Sequence, residues 1–441
     1  MGSRARSALR SAAVVTAFAL ALASGAPSGA RSGYWKRTSR IAPGVTWTRI
    51  NLPGGPNRVH VVSIKLAKPS TIDVMLADDR LPGFEFTSSM ARRAGAIAAI
   101  NGDYALPSGR PVLTFARDGR LEQTQLTWGR NFALDRTETR PFIGFARTRA
   151  WLTDIASGTQ MRIDKVNAGA PADDEVALFT PVGGDVERPP KNSCSARLYA
   201  TGAPRVRTPE PGVTEDVYVE AVKCAEARLW PQKGIVVSTP IWGPRAAEIS
   251  SLVAGQQLTL SWTLKDLVDV VETIGGNPTL VENGQIVAEN VTGSGGFFSR
   301  HPRTGVGTTP DGRVLFVTVD GRQKGYSVGM TLARFARLFQ DLGADWALNL
   351  DGGGSTTMWV DGKVRNRPSD GTQRGVSSAL VLLPGSDGGE SGLGAPADGG
   401  SPLPSPGATW ERIAADPAST GGLFDALQRR GIRLPSLFGN R

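Results

Sequence analysis

Residues 313–355, RVLFVTVDGRQKGYSVGMTLARFARLFQDLGADWALNLDGGGS, hold the most regular pattern in the chain. Residues 314–319 form a continuous apolar run, as in a buried strand, that stops at Asp320-Gly321-Arg322. Leu332, Phe335, Ala336, Phe339 and Leu342 then fall at helical spacing, with Gly343 as the C-terminal stop. Residues 346–350 are a second apolar strand, ending at Asp351-Gly352-Gly353-Gly354-Ser355. Strand, helix and strand in that order predict a βαβ unit, with a parallel strand pair and a right-handed crossover. The expected fold class is therefore α/β, mixed α+β: a mixed sheet with a βαβ unit and flanking helices, plus a β-rich insert.

Downstream, residues 358–360 and 363–365 read as a hairpin around Asp361-Gly362, and 377–383 as a final buried strand. Upstream, 58–67 and 71–77 alternate with the period of half-buried strands, and 87–94 is a short helix candidate. Residues 96–100 are an all-apolar strand that stops at Asn101-Gly102-Asp103-Tyr104. Residues 105–150 read as hairpins. The stretch from about 151 to 265 reads as an antiparallel β insert, with strand-like runs between Pro/Gly clusters. It carries Cys194 and Cys224, which in an oxidising compartment can close one disulfide worth roughly 3–4 kcal/mol.

The ends differ in composition from the middle. Arg4, Arg6 and Arg10 precede an apolar run at 12–23 and small residues through Ala30, the order of a secretory signal peptide. The run is short for a membrane span, so the mature chain is expected to have no transmembrane segment and to be secreted or held at the cell envelope. Residues 31–54 read as a lead-in, 385–408 as a disordered Gly/Pro/Ser/Asp linker, and 409–441 as a tail with one short helix. Removing residues 1–30 takes away three Arg and no acid, so the net charge of +10 becomes +7. A basic surface attracts anionic polymers such as cell-envelope glycans. The basic residues are scattered, without an aromatic-basic motif, so nucleic acid is not an expected partner.

With only two histidines, His60 and His301, a His-rich metal site is excluded and the chemistry must rest elsewhere. Three strands end in Asn or Asp followed by glycine: Asn101-Gly102-Asp103, Asp320-Gly321-Arg322 and Asp351-Gly352-Gly353-Gly354. Ligands sit beyond the carboxyl ends of parallel strands, so Asp320 and Asp351 are expected to share an edge. Asp-Gly is also a common turn dipeptide. The glycine run after Asp351 stands out because it follows a fully apolar strand and could aim several N–H groups at an anion. No Lys follows it and Thr356 continues into a strand, which argues against a P-loop. Arg303, Arg322 and Arg367 are candidate anion ligands, since a guanidinium clamps a phosphate through two N–H groups.

The segments HPRTGVGTTPDGRVLFVTVDGR, TLARFARLFQDLGA, WALNLDGGGSTTMWVDGKVRNRPSDG and GVSSALVLL resemble the core of the phosphodiester glycosidase family, the uncovering-enzyme-like N-acetylglucosaminidases. AAINGDY, VVSTPIWG and GGNPTLVENGQIV resemble it too, so the likeness spans roughly 55–384. Positions matching the family's motifs are Asn101, Arg303, Asp320, Asp351, Gly352, Gly353, Gly354, Ser355 and Asp370. Ala105 and Gly305 depart from it, where Phe and Ala are usual. The resemblance implies an exported hydrolase that cleaves the glycosidic C–O bond of a sugar-1-phosphodiester in a glycan or glycoconjugate.

On this reading Asp351 and Asp320 form the catalytic pair, with Asp103 able to replace either. Asn101, Arg303, Arg322, the three glycines, Ser355, Thr356, Arg367 and Asp370 bind substrate, and no cofactor is required. Two rival readings use the same residues. In a metal-dependent phosphodiesterase the three aspartates would ligate Mg²⁺ or Ca²⁺. In a non-catalytic glycan-binding module of the envelope the glycine loop would hold an anionic polymer.

Overall fold

The computed structural model describes residues 34–384 apart from 54, 67–71, 136–140, 145–147, 184–187, 201–207, 209–211, 226–228, 232–233 and 265–269. The stretches read as a signal peptide (1–30), a linker (385–408) and a tail (409–441) lie outside the described residues.

The α/β expectation is overturned: the protein is built almost entirely of antiparallel sheets. The central sheet has eight strands. In spatial order they are Trp35–Ala42, Val45–Leu52, Asn57–Lys65, Arg313–Val319, Arg303–Thr308, Trp346–Asn349, Thr279–Glu282 and Gln285–Ile286. The first two fall in the stretch read as a lead-in. Arg313–Val319 and Trp346–Asn349 do run in the same direction with the helix Leu332–Asp341 between them in sequence. They are not neighbours, because Arg303–Thr308 lies antiparallel between them and supplies hydrogen bonds to both. The βαβ reading failed because RTGVGT carries two glycines and hides its strand character. Both glycines have a packing reason. A Cβ on Gly305 would meet the rings of Phe335 and Phe339, and one on Gly307 that of Phe339, at 2.9–3.0 Å, so their absence lets the helix lie close on the sheet.

That helix starts at Thr331, whose hydroxyl accepts from the Arg334 N–H at 3.2 Å. Its apolar face buries Leu332, Phe335, Ala336 and Phe339 against Val317, Val319 and Ala347 of the sheet. The opposite face packs Trp47, Val62, Phe316 and Leu348 against two five-stranded sheets, which contribute Ile100, Leu380, Phe115 and Phe132. One of these holds Ala98–Asn101, Met358–Val360 and Ser378–Leu382. The central sheet is thus covered by a helix on one side and by strands on the other.

Strands between 148 and 264 form a second eight-stranded sheet, antiparallel except where Lys165–Val166 pairs with Ala177–Phe179. Its core includes Leu152, Val237, Leu260 and Trp262. Cys194 and Cys224 stand opposite each other on Ser193–Tyr199 and Thr214–Ala225 and form the disulfide. Among the described residues, no helix is long and apolar enough to cross a membrane.

Candidate functional site

Strand direction places the site. Because Arg313–Val319 and Trp346–Asn349 run the same way, Asp320 and Asp351 emerge at one edge of the central sheet. Arg303 opens the strand between them, opposite Val319. The second sheet delivers Asn101 to the same place. Its Nδ2 donates to the Asp351 carbonyl at 2.7 Å, and its Oδ1 accepts from the Thr304 hydroxyl at 2.8 Å and the Thr357 N–H at 3.1 Å. With donor and acceptor both committed, Asn101 pins the two sheets together at the site.

Asp351 is half-buried. Burial pushes its carboxyl up to about 6, against hydrogen bonds from Ser355 and the Gly352 N–H and the nearby charges of Arg374 and Arg322. Tyr104 lies close enough for the Asp351 charge to help hold its phenol well above the usual range, although burial is the larger cause. The Tyr104 hydroxyl donates to the Asn277 carbonyl at 2.9 Å and accepts from the Asn349 amide.

The other two aspartates are enclosed. Asp320 is fully buried, and its Oδ1 accepts from the Arg367 N–H at 2.9 Å and from Asn366 Nδ2 at 3.2 Å. Its Oδ2 accepts from the Tyr326 hydroxyl at 3.1 Å and lies 3.7 Å from His60 Nε2. Asp103 accepts the N–H groups of Tyr104 at 2.7 Å, Leu113 at 2.7 Å and Val112 at 3.1 Å, which ties down the loop that follows it. Burial raises the Asp103 carboxyl to about 7 even though these three donors favour the ionised form. Among the described residues, no group of three His, Cys, Asp or Glu side chains is arranged to hold a metal ion.

Positive charge collects around Asp351. Arg303 is 3% exposed and, among the described residues, donates only to backbone carbonyls: Met330 at 2.9 Å, Phe297 at 2.8 Å and Ser299 at 2.7 Å. Burial, and secondarily the charge of Arg322, lowers it to about 10. Arg322 is exposed, stands at φ +60° and donates to His301 Nδ1 at 3.3 Å. His301 Nε2 meets the Gly296 carbonyl at 2.6 Å, so Nε2 carries the proton and Nδ1 the lone pair. Burial and the neighbouring Arg303 and Arg322 push the His301 pKa down, which keeps the ring neutral. Arg374 pairs with Asp370 at 2.7 Å. Arg367 points elsewhere, its guanidinium 5.2 Å from the centre of the Tyr326 ring.

The glycine run does not present three free amides. Gly352 N–H turns back to the Asp351 carboxylate, and Gly353 N–H donates to the Pro302 carbonyl at 3.0 Å. The glycines are needed for close approach instead. A Cβ on Gly352 would meet the Pro302 oxygen at 2.8 Å, and one on Gly354 would collide with the Asp370–Arg374 pair. Ser355 and Thr356 are buried behind this turn, Ser355 on the Asp351 carboxylate. Sequence reading missed three contributors: Tyr104, His301 and Arg374. His301 stands two residues before Arg303 and Arg374 four after Asp370, but neither spacing is a signal without the fold.

Residues 211–383 match the family model described as phosphodiester glycosidase. That span contains Arg303, Asp320, Asp351 and Arg374, whereas Asn101, Asp103 and Tyr104 lie outside it and are brought in by the fold. YomE, an uncharacterized SPbeta prophage-derived protein of Bacillus subtilis (strain 168), is 41% identical over 83 residues. The aligned part spans 19% of this chain and only 13% of that relative. A hypothetical protein from Synechocystis superposes with a TM-score of 0.62 at 19% identity, over 79% of this chain and 64% of the other. This chain therefore spans less than two thirds of that structure. A putative exported protein from Burkholderia pseudomallei K96243 superposes with a TM-score of 0.58 at 23% identity, over 77% of each chain. These two structures share the fold.

Proposed function

We propose that this chain, which matches the phosphodiester glycosidase family over residues 211–383, is an exported hydrolase that cleaves the sugar–oxygen bond of a sugar-1-phosphodiester in an envelope glycan or glycoconjugate. The observation that carries this reading is Arg303. A buried guanidinium with only carbonyl partners is a charge in need of an anion. With Arg322 beside it, and with Arg322 and Arg374 beside the half-buried Asp351, the site suits a substrate with a phosphate on one side and an electrophilic carbon on the other.

Cleavage on the sugar side releases a phosphate monoester, whose second pKa is about 6. Such a leaving group needs little protonation, so the reaction makes small demands on a general acid. It needs the departing anion stabilised, which Arg303 and Arg322 can do by charge and hydrogen bonding. In this proposal ionised Asp351 acts at the anomeric carbon, directly or through a water. Asp320 and Asp103 position the loops on either side of it, since their oxygens already accept from the protein. Neutral His301 holds Arg322 in place through Nδ1. No metal is required, and turnover is expected to survive a chelator.

The test is hydrolysis of a sugar-1-phosphodiester in ¹⁸O-water with mass spectrometry of both products. The proposal expects label in the free sugar. Label in the phosphate would make the protein a phosphodiesterase, and saturable binding without turnover would make it a glycan-binding module.

A further inference from the structure

On the far side of Asp320 from Asp351 lies a groove of about 370 Å³ between the Trp35–Ala42, Val45–Leu52 and Asn57–Lys65 strands and the hairpin that ends in Val364 and Arg365. None of the residues lining it is acidic, and three are arginines: Arg49, Arg58 and Arg365. They stack on aromatic rings. Arg58 lies 5.1 Å from the centre of Trp35 and 5.4 Å from Tyr326, while Arg49 and Arg365 lie 4.9 and 4.8 Å from Trp47. Among the described residues, the one ion pair of these three is Arg365 with the exposed Asp361, at 3.6 Å.

The walls also hold unsatisfied polar atoms. Among the described residues, Trp47 Nε1, His60 Nδ1 and Arg58 Nη1 are buried without a hydrogen-bond partner, and Trp47 and His60 are 8% and 5% exposed. Buried polar groups are normally partnered, and two of these, Trp47 Nε1 and Arg58 Nη1, are donors that suit a ligand accepting hydrogen bonds. The cross-strand pairing of Arg49 with His60 puts both on one face of the sheet.

We propose that this groove binds the phosphate group of a phosphorylated sugar at a site separate from the Asp351 centre. A phosphate monoester offers close to two negative charges and several acceptor oxygens to three guanidinium groups, which a carboxylate does not match. The volume exceeds that of a phosphate alone and leaves room for an attached sugar. This inference does not depend on the hydrolase reading.

Calorimetric titration of the full chain with inorganic phosphate, glucose 6-phosphate and glucose tests it, with Trp fluorescence as a second readout from Trp35 and Trp47. Saturable binding of phosphate and tighter binding of the sugar phosphate are expected. Arg49→Ala is expected to weaken both about tenfold, the scale of one charge-assisted hydrogen bond. Arg49→Lys retains part of the affinity, and melting temperature and turnover of a sugar-1-phosphodiester are unchanged in both variants. Equal affinity for phosphate and glucose 6-phosphate would overturn the sugar part. Unweakened binding in Arg49→Ala, binding of glucose alone, or loss of binding in Asp351→Asn would overturn the site.

Discussion

Asp320 and Asp351 end two strands of one sheet at one edge, each is followed by glycine, and they differ in what receives their oxygens. Asp320 is closed on every side, by Arg367 N–H, Asn366, Tyr326 and His60. Asp351 accepts from its own turn, from Gly352 N–H and Ser355, and otherwise has the charges of Arg374 and Arg322 near it. The same dipeptide thus makes a structural hub in one place and an available carboxylate in the other. The segment that follows sets the difference. After Asp320 the chain passes Arg322 at φ +60° and returns Tyr326 and Ser327 onto the aspartate, whereas Gly352–Gly354 keeps its backbone against Pro302 and leaves the carboxylate open.

The widest separation between the two is expected in Asp351→Asn. On a sugar-1-phosphodiester, kcat should fall about 10³-fold, within the range for loss of a catalytic carboxylate, with the fold intact. At pH 7.5 the melting temperature should hold or rise. The Asp351 pKa is raised from 3.8 to about 6, so the native state favours the protonated form more than the unfolded chain does. Its contribution to stability is present below pH 4 and is lost as pH rises through 6. Removing the charge removes that loss.

Asp320→Ala should do the reverse. It strands the Arg367 N–H, the Tyr326 hydroxyl and an Asn366 donor in a buried place, at a cost of about 3 kcal/mol. Urea unfolding would show it as a lower midpoint at unchanged slope, and the folded fraction should keep measurable turnover. Turnover as low as in Asp351→Asn, without loss of stability, would erase the distinction and restore the pair of catalytic carboxylates.

How much of this contrast was readable in the sequence follows from range of interaction. The strand ends at Asn101, Asp320 and Asp351 were legible because apolar runs that stop at Asn/Asp-Gly are local patterns. The helix from Leu332 was legible from its spacing and its Gly343 stop. The antiparallel insertion of Arg303–Thr308 was not, because two of its six residues are glycines whose purpose lies in the rings of Phe335 and Phe339. Nor was the division of labour among the aspartates. Tyr326, Asn366, Val112 and His60 reach them across 6, 46, 9 and 260 positions, and no pattern of residue types records those contacts.

The pH profile sharpens the comparison at a smaller scale. If ionised Asp351 acts at the anomeric carbon, kcat/KM should drop about tenfold for each pH unit below about 6, with one proton involved. The limb should vanish from the residual activity of Asp351→Asn and persist in Asp320→Asn. A rate that instead falls as pH rises through 6 would make Asp351 a proton donor, and the leaving group would then need the acid that a phosphate does not.

The smallest effect is expected at Gly353, which separates the two roles of the glycine run. Its φ of +62° strains any residue with a Cβ by about 1–2 kcal/mol. The nearest atom to an added Cβ is Arg322 Nη2 at 3.1 Å, the movable end of an exposed side chain. Gly353→Ala should therefore lower stability by no more than that strain, and displace Arg322 slightly. If Arg322 acts on the departing phosphate, kcat falls severalfold while the pH limb near 6 stays in place. A loss as large as that in Asp351→Asn would mean that the turn itself, through its amides, holds the anion, and Arg303 and Arg322 would be left with a structural role.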